Sequence, residues 1–263
     1  MAEEFKGFEG LIEIMKKLRG PGGCPWDREQ SKESLKPYVI EEAYEVVEAI
    51  DGGDISELKE ELGDLLLQVV FLSELSDEAG HFKIDDVIAA ISEKLVRRHP
   101  HVFGEGNSET AEEVLKSWAS IKVDEKKEKG KSSVLEGVPY QMPALLRAHR
   151  IAEKAARVGF DWSHIDEVFK KLEEELGEFE EAIASKDVRK VEDELGDVMF
   201  ALVNISRFVE VNPEEALKKT IRKFVSRFNY IEEGLERGGI DIREASIEEM
   251  ERLWGEAKKS ERK

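Results

Sequence analysis

Residues 57–75 read ELKEELGDLLLQVVFLSEL, and residues 193–203 read DELGDVMFALV. In the first stretch Leu58, Leu62, Leu65, Val69 and Leu72 recur at helical spacing. From Leu65 onward LLLQVVFL is apolar around the whole helical circumference, as is VMFALV from Val198. A helix apolar on every side must be buried on every side, and one module of four or five short helices is too thin to surround it. The reading therefore requires modules that pack on one another, across a homodimer or as a pseudo-dimer within the chain. No alternating strand pattern with hairpin turns accompanies these stretches. The expected fold class is all-α.

Each stretch also completes a set of five carboxylates. EEAYEV supplies Glu41, Glu42 and Glu45, and EELGD supplies Glu61 and Asp64. In the second half EELGEF supplies Glu174, Glu175 and Glu178, and DELGD supplies Glu194 and Asp197. Every acid of the second set lies 133 residues after its counterpart. Positions i and i+4 share a helix face and i, i+3 nearly do, so two antiparallel helices joined by a short turn bring both groups into one cleft. Like charges that close raise each other's pKa or part the helices unless a cation joins them. Oxygen donors of this kind select Mg²⁺ or Mn²⁺. A single EExxE in a Glu-rich helix is usually a solvated face. Register kept across two copies, while the residues between have changed, points instead to a site.

The repeat extends further. TAEEVLKSWASIK (110–122) matches SIEEMERLWGEAK (246–258), aligning Trp118 with Trp254. CPWD with Trp26 and GFDW with Trp162 precede their acidic helices at similar distances. Lys94, Arg97 and Arg98 recur in part as Lys223 and Arg227, and Lys171 stands where the first copy has Tyr38. Bases beside a carboxylate-bound metal suit a polyphosphate, and Trp254 is a candidate for stacking on a base. The chain reads as a tandem duplication: a first module at 1–123, a polar linker at 124–143 and a second module at 144–263. Asp54 or Ser56, and Asp187, are the expected helix caps between the acidic pairs.

A net charge of −19 argues against a binder of nucleic-acid backbone, but not against a small polyphosphate carried by metal. The single cysteine, Cys24, excludes an internal disulfide framework and points to a reducing compartment. The opening residues lack a basic, apolar leader, and no stretch reaches membrane-spanning length. The expectation is a cytoplasmic protein with neither nucleic-acid nor membrane partners. No glycine-rich phosphate loop of the GxxxxGK[ST] kind is present, and Cys24 has no adjacent base. A di-iron bundle would need ExxH on core helices; Glu78 to His81 spans Ala79 and Gly80 at a helix end. The competing class is a non-catalytic protein that senses metal or nucleotide.

The segments GCPWDREQ, LKPYVIEEAYEVVEAID, ELGDLLLQVVF, RRHPHVFG, SVLEGVP and PALLRAHRIAEKAARVGFDW, with both acidic sets, carry a resemblance over nearly the whole chain. It resembles the MazG-type nucleoside triphosphate pyrophosphohydrolases of the all-α NTP pyrophosphatase superfamily. The resemblance implies two four-helix-type MazG modules, a homodimer, and Mg²⁺-dependent cleavage between the α and β phosphates of (d)NTPs. The products would be a nucleoside monophosphate and pyrophosphate. By position, the ten acids named above become metal ligands, with Glu175 and its counterpart Glu42 as carboxylates that orient or deprotonate water. Lys171, Lys223, Arg227, Trp254, Lys94, Arg97 and Arg98 become substrate contacts. Lys171, present in the second copy alone, favours the second module as the working one.

Overall fold

The computed structural model describes residues 5–105, 107, 108, 110, 111, 113, 114, 117, 118, 121, 125 and 133–261. Among the described residues the regular structure is helical throughout, with no strand. The all-α expectation holds. The chain divides into two compact units, Met1–Glu125 and Lys126–Lys263.

The first unit contains α1 (Gly7–Arg19), α2 (Pro25–Glu29), α3 (Lys36–Gly52), α4 (Ile55–Glu78), α5 (Ile84–Arg98) and α6 (Pro100–Phe103). A sharp turn folds α4 back on α3. Gly53 takes a left-handed conformation at φ 73°, which only glycine adopts at little cost. Asp54 then caps α4, its carboxylate accepting from the Ser56 and Glu57 N–H groups at 2.8 and 3.2 Å. Helix α1 lies on α4, and Met15, Leu35, Val70 and Phe71 form a buried core between the elements. Each such side chain contributes about 1.5–3 kcal/mol on removal from water. Arg19 fastens the far end of α4 through two bonds to Glu78, at 2.7 and 2.6 Å.

The second unit contains α7 (Ala144–Ala156), α8 (Ile165–Ser185), α9 (Val188–Phe208), α10 (Pro213–Arg237) and α11 (Ile247–Ser260). Helices α8 and α9 repeat the α3–α4 hairpin. Lys186 replaces Gly53 in the left-handed position at φ 58°, and Asp187 accepts from the Arg189 N–H at 3.1 Å. Helix α7 packs on α9 and α10, and α10 packs on α11. The α10–α11 contact is close at Gly234, where a Cβ would stand 2.7 Å from Leu253 Cδ2. Around it Ile231, Leu235 and Leu253 are buried. Residues 133–143 are held on α7: Lys154 Nζ donates to the Glu136 carbonyl at 2.8 Å, and Arg147 lies 4.9 Å over the Tyr140 ring. Of the linker expected at 124–143, residues 124 and 126–132 lie outside the described residues.

The all-round apolar segments are only half covered within the chain. Val70, Phe71, Val198, Ala201 and Val203 are buried. Leu62, Leu66 and Val69 on α4, and Leu195, Met199 and Leu202 on α9, remain 40–51% exposed. These two triplets occupy equivalent positions, so the same i, i+4, i+7 stripe is left open in both modules.

Candidate metal centres

The acids collect where each hairpin brings its two helices together. In the first module one carboxylate oxygen from each of Glu42, Glu45 and Glu61 lies within 4.8 Å of the others. In the second, Glu175, Glu194 and Asp197 do the same. The shared positions are Glu42 with Glu175 and Glu61 with Glu194. Asp64 and Glu178, each outside its module's triplet, sit close enough to be felt. Asp64 pushes up the pKa of both Glu42 and Glu61, and Glu178 is pushed up by burial and then by the charges of Glu175 and Glu194. Glu41 and Glu174 are exposed and stand outside both triplets.

Electrostatics at the first triplet are those of acids crowded together. The Glu42 carboxyl is raised chiefly by burial, next by a hydrogen bond with Glu45 and the charges of Asp64 and Glu45. The Gln68 amide pulls it back, its Nε2 donating to Glu42 Oε1 at 3.3 Å. Glu61 is raised by burial and by Glu45, Asp64, Glu60 and Glu57. The sequence reading missed Gln68. Its signal was a lone amide inside LLLQVVFL, one helical turn beyond Asp64.

The second triplet carries its own cation. Lys171 Nζ lies 2.7 Å from Glu174 and 2.7 Å from Glu175, and those two carboxylates drive its pKa well above the usual lysine value. Glu175 is buried beneath it. Glu194 Oε2 is buried with no hydrogen-bond partner.

The donor set fits a hard divalent cation. Octahedral Mg²⁺ holds oxygens at about 2.0–2.1 Å, so ligands on one ion stand within roughly twice that distance of one another, comparable to the observed spread. An orphaned buried carboxylate oxygen such as Glu194 Oε2 also needs a partner.

The other residues expected to contact substrate have partners or exposure of their own. Arg97 and Arg98 converge on Glu125, at 2.7 and 2.5 Å, and hold its carboxyl down at about 2. Arg227 pairs with Glu261 at 2.7 Å and lies 5.3 Å over the Trp254 ring. Trp254 packs on the α10–α11 core and against Phe224. Lys94 and Lys223 are exposed. His99 bonds the Leu95 carbonyl at 2.6 Å and sets its ring edge-on to Trp118, a structural use of the histidine.

The model of the MazG nucleotide pyrophosphohydrolase domain matches twice, at residues 30–103 and 164–232. Each match contains one hairpin with its complete acidic set. The chain belongs to the MazG family. It is 51% identical over 251 residues to the nucleoside triphosphate pyrophosphohydrolase/pyrophosphatase MazG of Thermotoga maritima, covering 95% of each chain. It is 43% identical over 254 residues to the nucleoside triphosphate pyrophosphohydrolase of Escherichia coli K12, covering 95% of this chain and 97% of the other. It also matches YabN of Bacillus subtilis, an uncharacterised protein, at 46% identity over 99% of this chain and 53% of that one. The two MazG segments account for the duplication seen in the sequence.

Proposed function

We infer that this chain hydrolyses nucleoside triphosphates to nucleoside monophosphates and pyrophosphate, using a divalent cation held by the carboxylate triplets. Membership of the MazG family and the activity named for the Thermotoga and Escherichia relatives support the reaction. The observation that carries the metal is the convergence of three carboxylates in each module. Glu175, Glu194 and Asp197, with Glu178 beside them, would hold the ion in the second module; Glu42, Glu45 and Glu61, with Asp64, would do so in the first. Bound there, Mg²⁺ or Mn²⁺ neutralises triphosphate charge and lowers the pKa of coordinated water.

The chain's own residues supply the rest. Lys171 passes from the carboxylates to a phosphate oxygen as substrate arrives. Glu175, buried beneath Lys171, orients the attacking water and takes its proton. Water oxygen bonds to phosphorus, the bridging P–O bond of the α–β linkage breaks, and pyrophosphate leaves. We further propose that the working protein is a cytoplasmic homodimer that covers the two open apolar stripes. Among the described residues no helix is long and apolar enough to cross a membrane.

The test is direct. Purified protein is incubated with each NTP and Mg²⁺, with and without chelator, and phosphorus NMR identifies the products. Monophosphate and pyrophosphate appearing only with the cation is the expected result. Nucleoside diphosphate and orthophosphate as first products would refute the scissile bond.

A further inference from the structure

The two triplets differ in what holds their shared first acid. In the first module Glu42 is held by the neutral Gln68 amide. In the second Glu175 is held by the Lys171 ammonium at 2.7 Å. Each holding residue is missing from the other copy. The counterpart of Lys171 is Tyr38, which packs in the first core with its ring edge-on to Trp26 at 6.0 Å. The counterpart of Gln68 is Ala201, which is buried and has no polar side-chain atom.

We propose that the modules load their cation in different orders: the first takes it up without nucleotide, while in the second Lys171 stands in for the cation until it is drawn away. This rests on the reading that the triplets hold a metal. Three physical arguments support it. An ammonium 2.7 Å from a carboxylate oxygen occupies the coordination space of that oxygen and repels a divalent ion approaching it. Among the described residues the Glu42 carboxylate takes its side-chain hydrogen bond from a neutral amide, where Glu175 takes an ion pair from an ammonium. A set of acids facing a neutral amide gains more from a metal than one already paired with an ammonium, because the amide relieves little of its repulsion. Finally, the Gln68 Oε1 is buried without a hydrogen-bond partner, and an amide carbonyl beside a carboxylate triplet can accept from water carried by a hydrated cation. Lys171 can leave without stranding its charge, since its side chain is 39% exposed.

Mn²⁺ titration of the full chain without nucleotide, followed by loss of the free-ion electron paramagnetic resonance signal, tests this. In the unmodified protein the tight Mn²⁺ population should vanish with Glu61→Gln and persist with Glu194→Gln. Lys171→Met should tighten the second-module population roughly tenfold, a typical size for coupling between two bound charges, and adding Glu194→Gln should remove that gain. Lys171→Gln, a second neutral variant, should behave as Lys171→Met, with circular dichroism reporting the fold of each. Equal affinity in both modules of the unmodified protein, or no tightening in either folded lysine variant, overturns the proposal and leaves metal-dependent hydrolysis standing. Full turnover in excess chelator would instead sink the metal reading itself, which the Mn²⁺ titration does not decide.

Discussion

Gln68 reaches from α4 to α3 and donates to Glu42 at 3.3 Å, while the carbonyl end of the same amide is buried without a partner. A neutral donor fixes the rotamer of a carboxylate without competing for its charge. Groups that orient metal ligands in this way are typically worth ~10–100-fold in metal affinity. Gln68→Ala, the second module's residue, should therefore weaken Mn²⁺ binding in the first module by about tenfold, the low end of that range. The measurement is best made in a Glu175→Gln background. Unchanged first-module affinity would assign Gln68 to packing alone.

Division of labour between the modules is read from one matched pair. Glu175→Gln and Glu42→Gln each remove a charge with little change of volume. Glu175 is the buried acid that shares the ammonium of Lys171, so its loss should cut turnover by ~100-fold or more, the range of a lost general base. Glu42→Gln should cost much less. Rates for both single variants and the double variant settle it. If Glu42→Gln alone abolishes activity and Glu175→Gln does nothing, the first module is the working one.

Much of this was legible because duplication turned spacing into an internal control. The acids could be recognised by their common shift of 133 residues, and the caps Asp54 and Asp187 stand where turn chemistry places them. What spacing could not give was which acids meet. Helical periodicity treats Glu41 and Glu45 as facing neighbours, yet Glu45 joins the triplet and Glu41 does not. The rotation of α3 about its axis is set by packing of Leu35 and Tyr38 against the core, a tertiary fact. Partners of the basic residues were equally hidden. Glu125 lies 27 residues beyond Arg98 and Glu261 lies 34 beyond Arg227, too far for a local rule to pair them.

The hairpin turns predict a stability difference. Lys186 holds φ 58° where the first copy uses Gly53, and an L-residue in that region costs roughly 1–2 kcal/mol. Glycine loses more backbone entropy on folding, which returns part of the gain. Lys186→Gly should stabilise the second unit by about 0.5–1 kcal/mol. Calorimetry should show its transition a few degrees higher, with the first unit's transition unmoved. A lower transition would show that the lysine's side chain contributes more than its backbone costs.

A pH effect follows from Glu125. Bonds from Arg98 and Arg97 hold its carboxyl at about 2, against an ordinary value of 4.5. A depressed acid contributes stability that is fully present above the unfolded value and lost as pH falls through the folded one. The window is therefore about pH 4.5 down to about 2. Glu125→Gln should be less stable than the unmodified protein at pH 6, and the two should converge across that window. Denaturant melts of the first unit at pH 6, 4 and 3 measure the gap. A gap that stays constant with pH would mean the carboxylate's charge is not what the arginines hold.

Oligomeric state is the last test, and the two open stripes set it. Leu62, Leu66 and Val69 repeat as Leu195, Met199 and Leu202, in identical register and with 40–51% exposure. Soluble monomers avoid contiguous apolar faces of this kind, and one such face kept in both copies argues for cover rather than chance. A second copy of the chain is self-complementary to it, since a two-fold axis sets the same stripe against itself. Light scattering over a range of concentrations should give twice the chain mass of 29.9 kDa. Leu66→Lys and Met199→Lys each place a charge on one stripe, and the double variant should shift the protein to monomer while leaving its helical circular dichroism intact. A monomer at every concentration in the unmodified protein would remove the dimer from the proposed function, with the hydrolytic reading unaffected.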